Sequence, residues 1–408
     1  MHAASPLVSP NVHRLLWVRA LRAFADGYVS LLLPLYLIRL GLTPFQVGAI
    51  ATATLLGSGV LTLLVGFHSY RFRYRTLLLA AALLMAATGA SFAIVTDFWP
   101  LLIIAIVGTL NPSSGDVSVF LPLEQALLAR MADDAQRTAL FARYSLTGAL
   151  VGALGALAAG LPDVMVATLG ITMQTSFQAM FVLYGLFGLV SALIYKALPA
   201  TVGSSTHTPT APLHKSKKIV YTLAALFSLD AFGGGFIVQS MIALWLFEQF
   251  RLSTAIAGTI FFWTGVFTAF SYLVAVRIAK RIGLVNTMVF THLPSSVFLI
   301  LIPFMPALSW VIVLLLARSA LSQMDVPTRS SYVMAVVSPG ERAAAASITS
   351  VPRSLASSAS PLLAGYLLGI STFGWPLLFA GVLKIVYDLL LLGMFRSVRP
   401  PEETGSHG

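Results

Sequence analysis

Arg318, Ser322, Asp325 and Arg329 follow the apolar run Trp310–Leu316 at spacings of four, three and four residues. On a helix turning 100° per residue they fall on one stripe, within roughly 60° of one another. A guanidinium fork suits a carboxylate, phosphate or polarised carbonyl, which it can bind through two parallel hydrogen bonds. Asp325 can pair with Arg329 one turn away, which leaves Arg318 less easily neutralised and the leading substrate contact. Isolated acids in other apolar segments suit a second chemistry, the transfer of a proton across a barrier. Asp26, Asp230 and Asp116 are the candidates. Arg22, one turn before Asp26, is a ready partner for that acid, so Asp230 is slightly favoured. Asp230 stands just before the glycines 233–235, where missing side chains let water or backbone approach. Asp116 follows Asn111-Pro112-Ser113-Ser114, a stretch that disturbs a helix and offers polar contacts; Asn111, Asp116 and Gln239 join Arg318 as path residues.

The segments that carry these residues are too apolar for water. The chain has 408 residues, 58% hydrophobic and 10% charged, with mean hydropathy +0.89. Soluble domains carry about 25% charged residues, so composition alone assigns a membrane protein. Spans of about 20 residues are expected near 15–40, 44–68, 76–96, 98–130, 137–160, 172–198, 217–249, 254–280, 284–305, 308–336, 342–370 and 373–395. The first is expected to stay in place, because it lacks the short core and cleavage site of a signal peptide. With the N-terminus inside, 19 of the 25 Lys and Arg fall in or beside cytoplasmic segments. That asymmetry places both termini in the cytoplasm and accounts for the net charge of +11 without nucleic acid. Cysteine is absent, and the seven histidines show no ligand spacing, so metal and thiol chemistry are not expected. His292 reads as a satisfied structural residue. Lys384 and Asp388, four apart, are expected to neutralise each other.

The chain also repeats itself. "GLTPFQVG" from Gly41 aligns with "RLSTAIAG" from Arg251, and "YRFR" from Tyr70 with "KRIG" from Lys280, both at a shift of 210. "LPLEQ" from Leu121 aligns with "VPTRS" from Val326 at a shift of 205, which sets Glu124 opposite Arg329. The Pro-, Ser- and Thr-rich stretch between the copies reads as a linker. The expected organisation is a six-helix bundle over 1–198, a cytoplasmic linker over 199–217, a second six-helix bundle over 218–398 and a tail over 399–408. Opposite charges at Glu124 and Arg329, near the cytoplasmic ends of their helices, are expected to meet as an inner gate.

Duplicated six-span halves are a recurring plan for secondary transporters, and the sequence resembles the major facilitator superfamily over essentially its whole length. "GFHSYRFRYR" is similar to that family's Gly-x-x-x-Asp-Arg-x-Gly-Arg-Arg loop: Gly66, Arg71 and Arg75 match, while Tyr70 and Arg73 replace the aspartate and glycine. "LTGALVGALGALAAG" is similar to the glycine-rich antiporter motif, with Ala156 and Ala159 as departures. The resemblance implies an all-α fold of twelve helices in two bundles related by a pseudo-twofold. It implies that helices 1, 4, 7 and 10 line the path, and that Arg71 and Arg75 serve gating with Glu124, Asp325 and Arg329. Gly148, Gly152, Gly155 and Gly160 offer small-residue spacing for close helix packing.

The function expected is secondary active transport of a small organic solute by alternating access, coupled to protons, with export slightly favoured. The alternative is an organic-anion carrier. No nucleotide-binding loop, catalytic constellation or cofactor motif is readable, so no enzyme activity and no cofactor are expected. The expected partners are a small-molecule substrate, protons and the lipid bilayer, with the protein monomeric in a bacterial inner membrane.

Overall fold

Apolar segments in a bilayer must satisfy every backbone N–H and C=O internally, and the helix is the element that does so within one segment. The structure, a computed structural model, describes residues 10–68, 72–113, 118–131, 134–199, 216–338, 341–396 and 398. Among these, the first half forms α1 (Pro10–Arg39), α2 (Pro44–His68), α3 (Tyr74–Ile94), α4 (Phe98–Val107), α5 (Phe120–Met131), α6 (Asp134–Ala158), α7 (Leu161–Leu169) and α8 (Met173–Lys196). The second half forms α9 (Lys217–Gly235), α10 (Gln239–Phe250), α11 (Thr254–Ile282), α12 (Leu284–Leu301), α13 (Leu308–Ser322), α14 (Asp325–Val336), α15 (Arg342–Ile370) and α16 (Trp375–Phe395). Most of the linker and the tail lie outside the described residues.

Among the described residues, ten helical stretches are long and apolar enough to cross a membrane. Two of the twelve expected spans take other forms. The 98–130 segment is not one helix but two short ones, α4 and α5. The cause is local: Pro112 has no N–H to donate. Beside it, the Asn111 side chain accepts from the Ser113 N–H at 3.0 Å and the Ser113 hydroxyl at 2.8 Å, a turn that competes with the helix. The 342–370 segment is one full-length helix, α15, whose many serines keep it out of the apolar ten. Segment 308–336 also breaks, at Gln323 and Met324. Pro327 cannot donate back to Gln323, whose carbonyl is taken instead by the Val326 N–H at 3.4 Å. The Arg318–Arg329 stripe is therefore divided, with Arg318 and Ser322 on α13 and Asp325 and Arg329 on α14.

Helix starts repeat the registers of the sequence. α2 and α11 begin at 44 and 254, α3 and α12 at 74 and 284, α4 and α13 at 98 and 308, each pair 210 residues apart; α5 and α14 begin at 120 and 325, 205 apart. Packing repeats as well. α1 lies on α6 and α8 while α9 lies on α15 and α16, and α3 meets α8 as α12 meets α16. The chain forms two compact units, Met1–His207 with Gln239–Phe262, and Thr208–Val238 with Trp263–Gly408. Within the first, α10 packs against α1 and α2.

Glycine sets the closeness of these pairs. A Cβ at Gly27 would overlap the Gly152 carbonyl, and one at Gly155 would overlap the carbonyl of Phe24, so α1 and α6 meet backbone to backbone. Gly148 leaves the space that the Arg19 guanidinium fills, and Gly160 abuts Ala255 of α11. Outward-facing positions such as Ile94, Leu193 and Leu389 are large, apolar and exposed, which suits lipid. Gly155→Leu is expected to destabilise the purified protein by about 1–3 kcal/mol or more through overpacking. Gly59→Ala, where nothing lies within 4 Å, should leave it unchanged. Thermal unfolding in detergent measures both.

Candidate functional site

A charge held in a low-dielectric interior needs a partner and hydrogen bonds, or it costs several kcal/mol. In the first unit α1 supplies Arg22 and α5 supplies Glu124, and the two form a buried ion pair through Arg22 Nη2 and Glu124 Oε2. Tyr144 of α6 also donates to Oε2, and Tyr195 of α8 donates to Oε1 at 2.5 Å. The Arg22 guanidinium lies over the Phe120 ring, 4.1 Å from its centroid, and its Nη1 reaches Ser118 Oγ at 3.4 Å. Four helices thus converge on one carboxylate.

The second unit carries the same brace with the signs exchanged. α9 supplies Asp230 and α14 supplies Arg329, whose Nη2 donates to Asp230 Oδ2 at 3.2 Å and also to Asp325 one turn back. The other Arg329 nitrogens, Nε and Nη1, are buried without a hydrogen bond among the described residues. Lys384 of α16 donates to Asp230 Oδ1 at 2.7 Å. His292 of α12 faces the same oxygen at 3.7 Å through Nε2, and its Nδ1 lies 2.9 Å from Asp388 Oδ1.

One sequence expectation changes here. Glu124 and Arg329, read as meeting when the inner side closes, each carry in their own unit an opposite charge from the first helix of their repeat. Lys384 and Asp388, expected to neutralise each other, do not. Lys384 reaches Asp230 and Asp388 reaches His292, because α16 packs on both α9 and α12 and offers shorter cross-helix contacts. His292 was read as structural, and its place between two aspartates was not anticipated. The lone histidine in an apolar segment, 96 residues from its partner, gives no spacing signal.

Asp26 and Arg318 stay outside these networks. Asp26, 5% exposed in α1, makes no hydrogen bond or ion pair among the described residues. Arg22, the neighbour expected to claim it, is committed to Glu124. Arg318, half-buried near the end of α13, likewise makes no hydrogen bond or ion pair among the described residues. Asp230 sits at the opposite extreme, with Lys384 and Arg329 bonded to it and His292 adjacent.

Smaller polar groups gather where helices break. Among the described residues, Asn111 is buried with no partner for its Nδ2, and the Ser240 hydroxyl in the first turn of α10 has none either. The Ser240 N–H donates to the Pro112 carbonyl at 3.0 Å, so the two interruptions touch. Gln239 opens α10 beside them, half-buried. Arg75 sits in the first turn of α3, half-buried. Asp116 and Arg71 lie outside the described residues.

Comparison with known proteins places this geometry. The sequence profile of the Major Facilitator Superfamily matches residues 15–232 and 223–408. An uncharacterized membrane protein of Saccharomyces cerevisiae, YJR124C, is 26% identical, with 94% of each chain covered. Among solved structures, a mutant of the nucleoside transporter NupG superposes with a TM-score of 0.76 at 13% identity, covering 94% of this chain and all of that one. A bacterial homologue of the human lysosomal transporter Spinster gives 0.73 at 13% identity, with 97% of each chain covered. The human organic anion transporter MFSD10 (TETRAN) gives 0.65 at 18% identity, covering 94% of this chain and all of that one. At these identities the solved structures share the fold.

Breaking the first-unit brace from one side strands a buried charge. Arg22→Met or Glu124→Leu alone is expected to destabilise by about 3–5 kcal/mol, and the double variant Arg22→Met/Glu124→Leu by less than either. A double variant as unstable as the sum of the singles would contradict a direct pair. Unfolding in detergent reads the difference.

Proposed function

We propose, from the premise that this chain belongs to the Major Facilitator Superfamily and is an integral multi-pass membrane transporter, that it carries a small organic solute bearing an anionic or strongly polarised group. The path runs by alternating access, Arg318 takes the solute's charged group, and Asp26 carries the coupling proton. The observation that bears this reading is that Arg318 makes no hydrogen bond or ion pair among the described residues. Arg22, Arg329 and Lys384 are all spent on carboxylates, whereas none of the described residues takes up the Arg318 guanidinium fork.

Asp26 complements it. Among the described residues, the embedded acids Glu124, Asp230, Asp325 and Asp388 each have a bonded cation or histidine, and Asp26 has none. A carboxyl group that must pick up and release a proton is best left unclamped, which supports Asp26 over Asp230. Asn111 and Ser240, with spare polar atoms beside a pair of helix breaks, are suited to hydrogen bonding along the path in the first unit. The positive-inside pattern puts both termini on the cytoplasmic side.

A ligand-stabilisation screen of purified protein, run over organic anions and uncharged analogues, tests the solute contact. Anions are expected to stabilise the protein, and Arg318→Ala should weaken the best of them about 10- to 100-fold, the worth of one charge-assisted contact. A hit indifferent to that substitution would remove the assigned contact. Reconstituted vesicles holding a pH dye test the proton. Asp26→Asn should abolish the solute-driven pH change and retain solute exchange, and the sign of that change distinguishes import with protons from export against them.

A further inference from the structure

α2 and α11 begin 210 residues apart and hold the same place in their repeats, yet they satisfy their first amide groups differently. Those amides have no acceptor inside the helix. α2 answers locally. The Gln46 N–H donates to Thr43 Oγ1 at 3.3 Å and the Thr43 N–H donates to Gln46 Oε1 at 2.8 Å, the reciprocal bonding of a capping box. In α11 the corresponding residues are Ser253 and Ile256. The Ile256 N–H still donates to Ser253 Oγ at 3.3 Å, but the isoleucine side chain has no oxygen to return. An acceptor arrives instead from α7. Asp163 Oδ2 takes the Thr254 hydroxyl at 2.7 Å and the Ala255 N–H at 3.3 Å. A carboxylate suits a helix N-terminus, where the aligned peptide dipoles leave a partial positive charge.

We propose that Asp163 is a latch: it holds the start of α11 closed against α6 and α7, and its release opens that face of the protein. As a step in transport the latch rests on the reading above; as a closure of this face it does not. Each span reverses the direction of the one before, so the end of α6, α7 and the start of α11 lie on the membrane face opposite the start of α1. Residues Gln239–Phe262 belong to the second repeat by sequence but cluster with the first unit. They are held there at three places. The Ser240 N–H reaches the Pro112 carbonyl, Gly258 lies where a Cβ would overlap the Ala156 carbonyl, and Asp163 binds the first turn of α11.

A contrast with the buried braces makes this contact releasable. Parting Arg22 from Glu124 would strand both charges where water cannot reach them. Asp163 is half-buried and makes no ion pair among the described residues, so water can take over its hydrogen bonds as the two helices separate. α11 is not left bare, because Ser253 keeps its bond to the Ile256 N–H. The abutting positions are Ala156, Gly160, Ala255 and Gly258, small residues that part without unthreading side chains. α2, which closes its own box, needs no acid from a neighbour. The difference between the repeats therefore marks α11 as the helix whose start is tied to another segment.

The chain has no cysteine, so a single introduced thiol reports on one position. Ala257 of α11, Ala243 of α10 and Ala345 of α15 are each 0% exposed. Ala257→Cys, Ala243→Cys and Ala345→Cys are made separately, and reaction with a charged maleimide is timed in purified protein without any solute. A buried thiol reacts in proportion to the open population when closing outpaces labelling. Adding Asp163→Ala is expected to speed labelling at 257 and 243 by a common factor of about ten, the worth of one charge-assisted hydrogen bond, and to leave 345 unchanged. Asp163→Asn, which keeps a neutral acceptor oxygen, should speed both by less. A rise at 257 alone would make Asp163 a local cap, and an equal rise at all three positions would be general loosening. Either result, or no rise at all, overturns the latch. Failure of Arg318→Ala to affect solute binding would count against the transport reading and leave these rates untouched.

Discussion

The interior of each unit is organised by the need to neutralise a charge where water cannot. Arg22 with Glu124, and Asp230 with Arg329, join the first helix of a repeat to the second piece of its interrupted fourth segment. Glu124 and Arg329 occupy corresponding registers, 205 residues apart, while Arg22 and Asp230, 208 apart, sit only in corresponding helices, and the signs are exchanged. Only the sum within each pair is constrained by the surroundings, since a buried pair is tolerable in either orientation and a buried single charge is not. Tyr144 and Tyr195 reinforce the first brace, while Lys384 and the His292–Asp388 pair extend the second.

This rule also separates architecture from function. Most embedded charges are consumed by the braces, and what they bind is already present in the fold. Asp26 and Arg318 remain outside that accounting, one acid and one base, each in its own unit. An embedded charge without a bonded partner is retained at an energetic cost. The surplus nitrogens of Arg329 and the bare atoms at Asn111 and Ser240 belong to the same class on a smaller scale.

Much of the fold was legible in the sequence because membrane insertion writes itself into long apolar runs and flanking arginines. The repeat registers of 210 and 205, read from a few weak identities, reappear as helix starts. The breaks were less legible. Asn111-Pro112-Ser113 announced a disturbance, but the turn at Gln323 and Met324 lies upstream of the proline that permits it, and the Arg318 stripe was accordingly read as continuous. Pairings were the least legible of all. Lys384 and Asp388 have the spacing of a helical ion pair, and nothing in one helix reveals that Asp230 and His292 stand nearer. Glu124 and Arg329 were recognised as equivalent positions, but equivalence describes where a residue sits in its own repeat and carries no information about whom it touches.

The hydrogen bond from the Ser240 amide to the Pro112 carbonyl ties two gaps in regular structure to each other. The first amide groups of a helix have no acceptor within it. Here the vacancy at the head of α10 is filled by a carbonyl exposed because the chain between α4 and α5 left the helical path. Neither discontinuity is then an independent defect that evolution could mend alone. Restoring an unbroken helix through residue 112 would withdraw that carbonyl and orphan the amide at 240, so the pair is maintained, or lost, together.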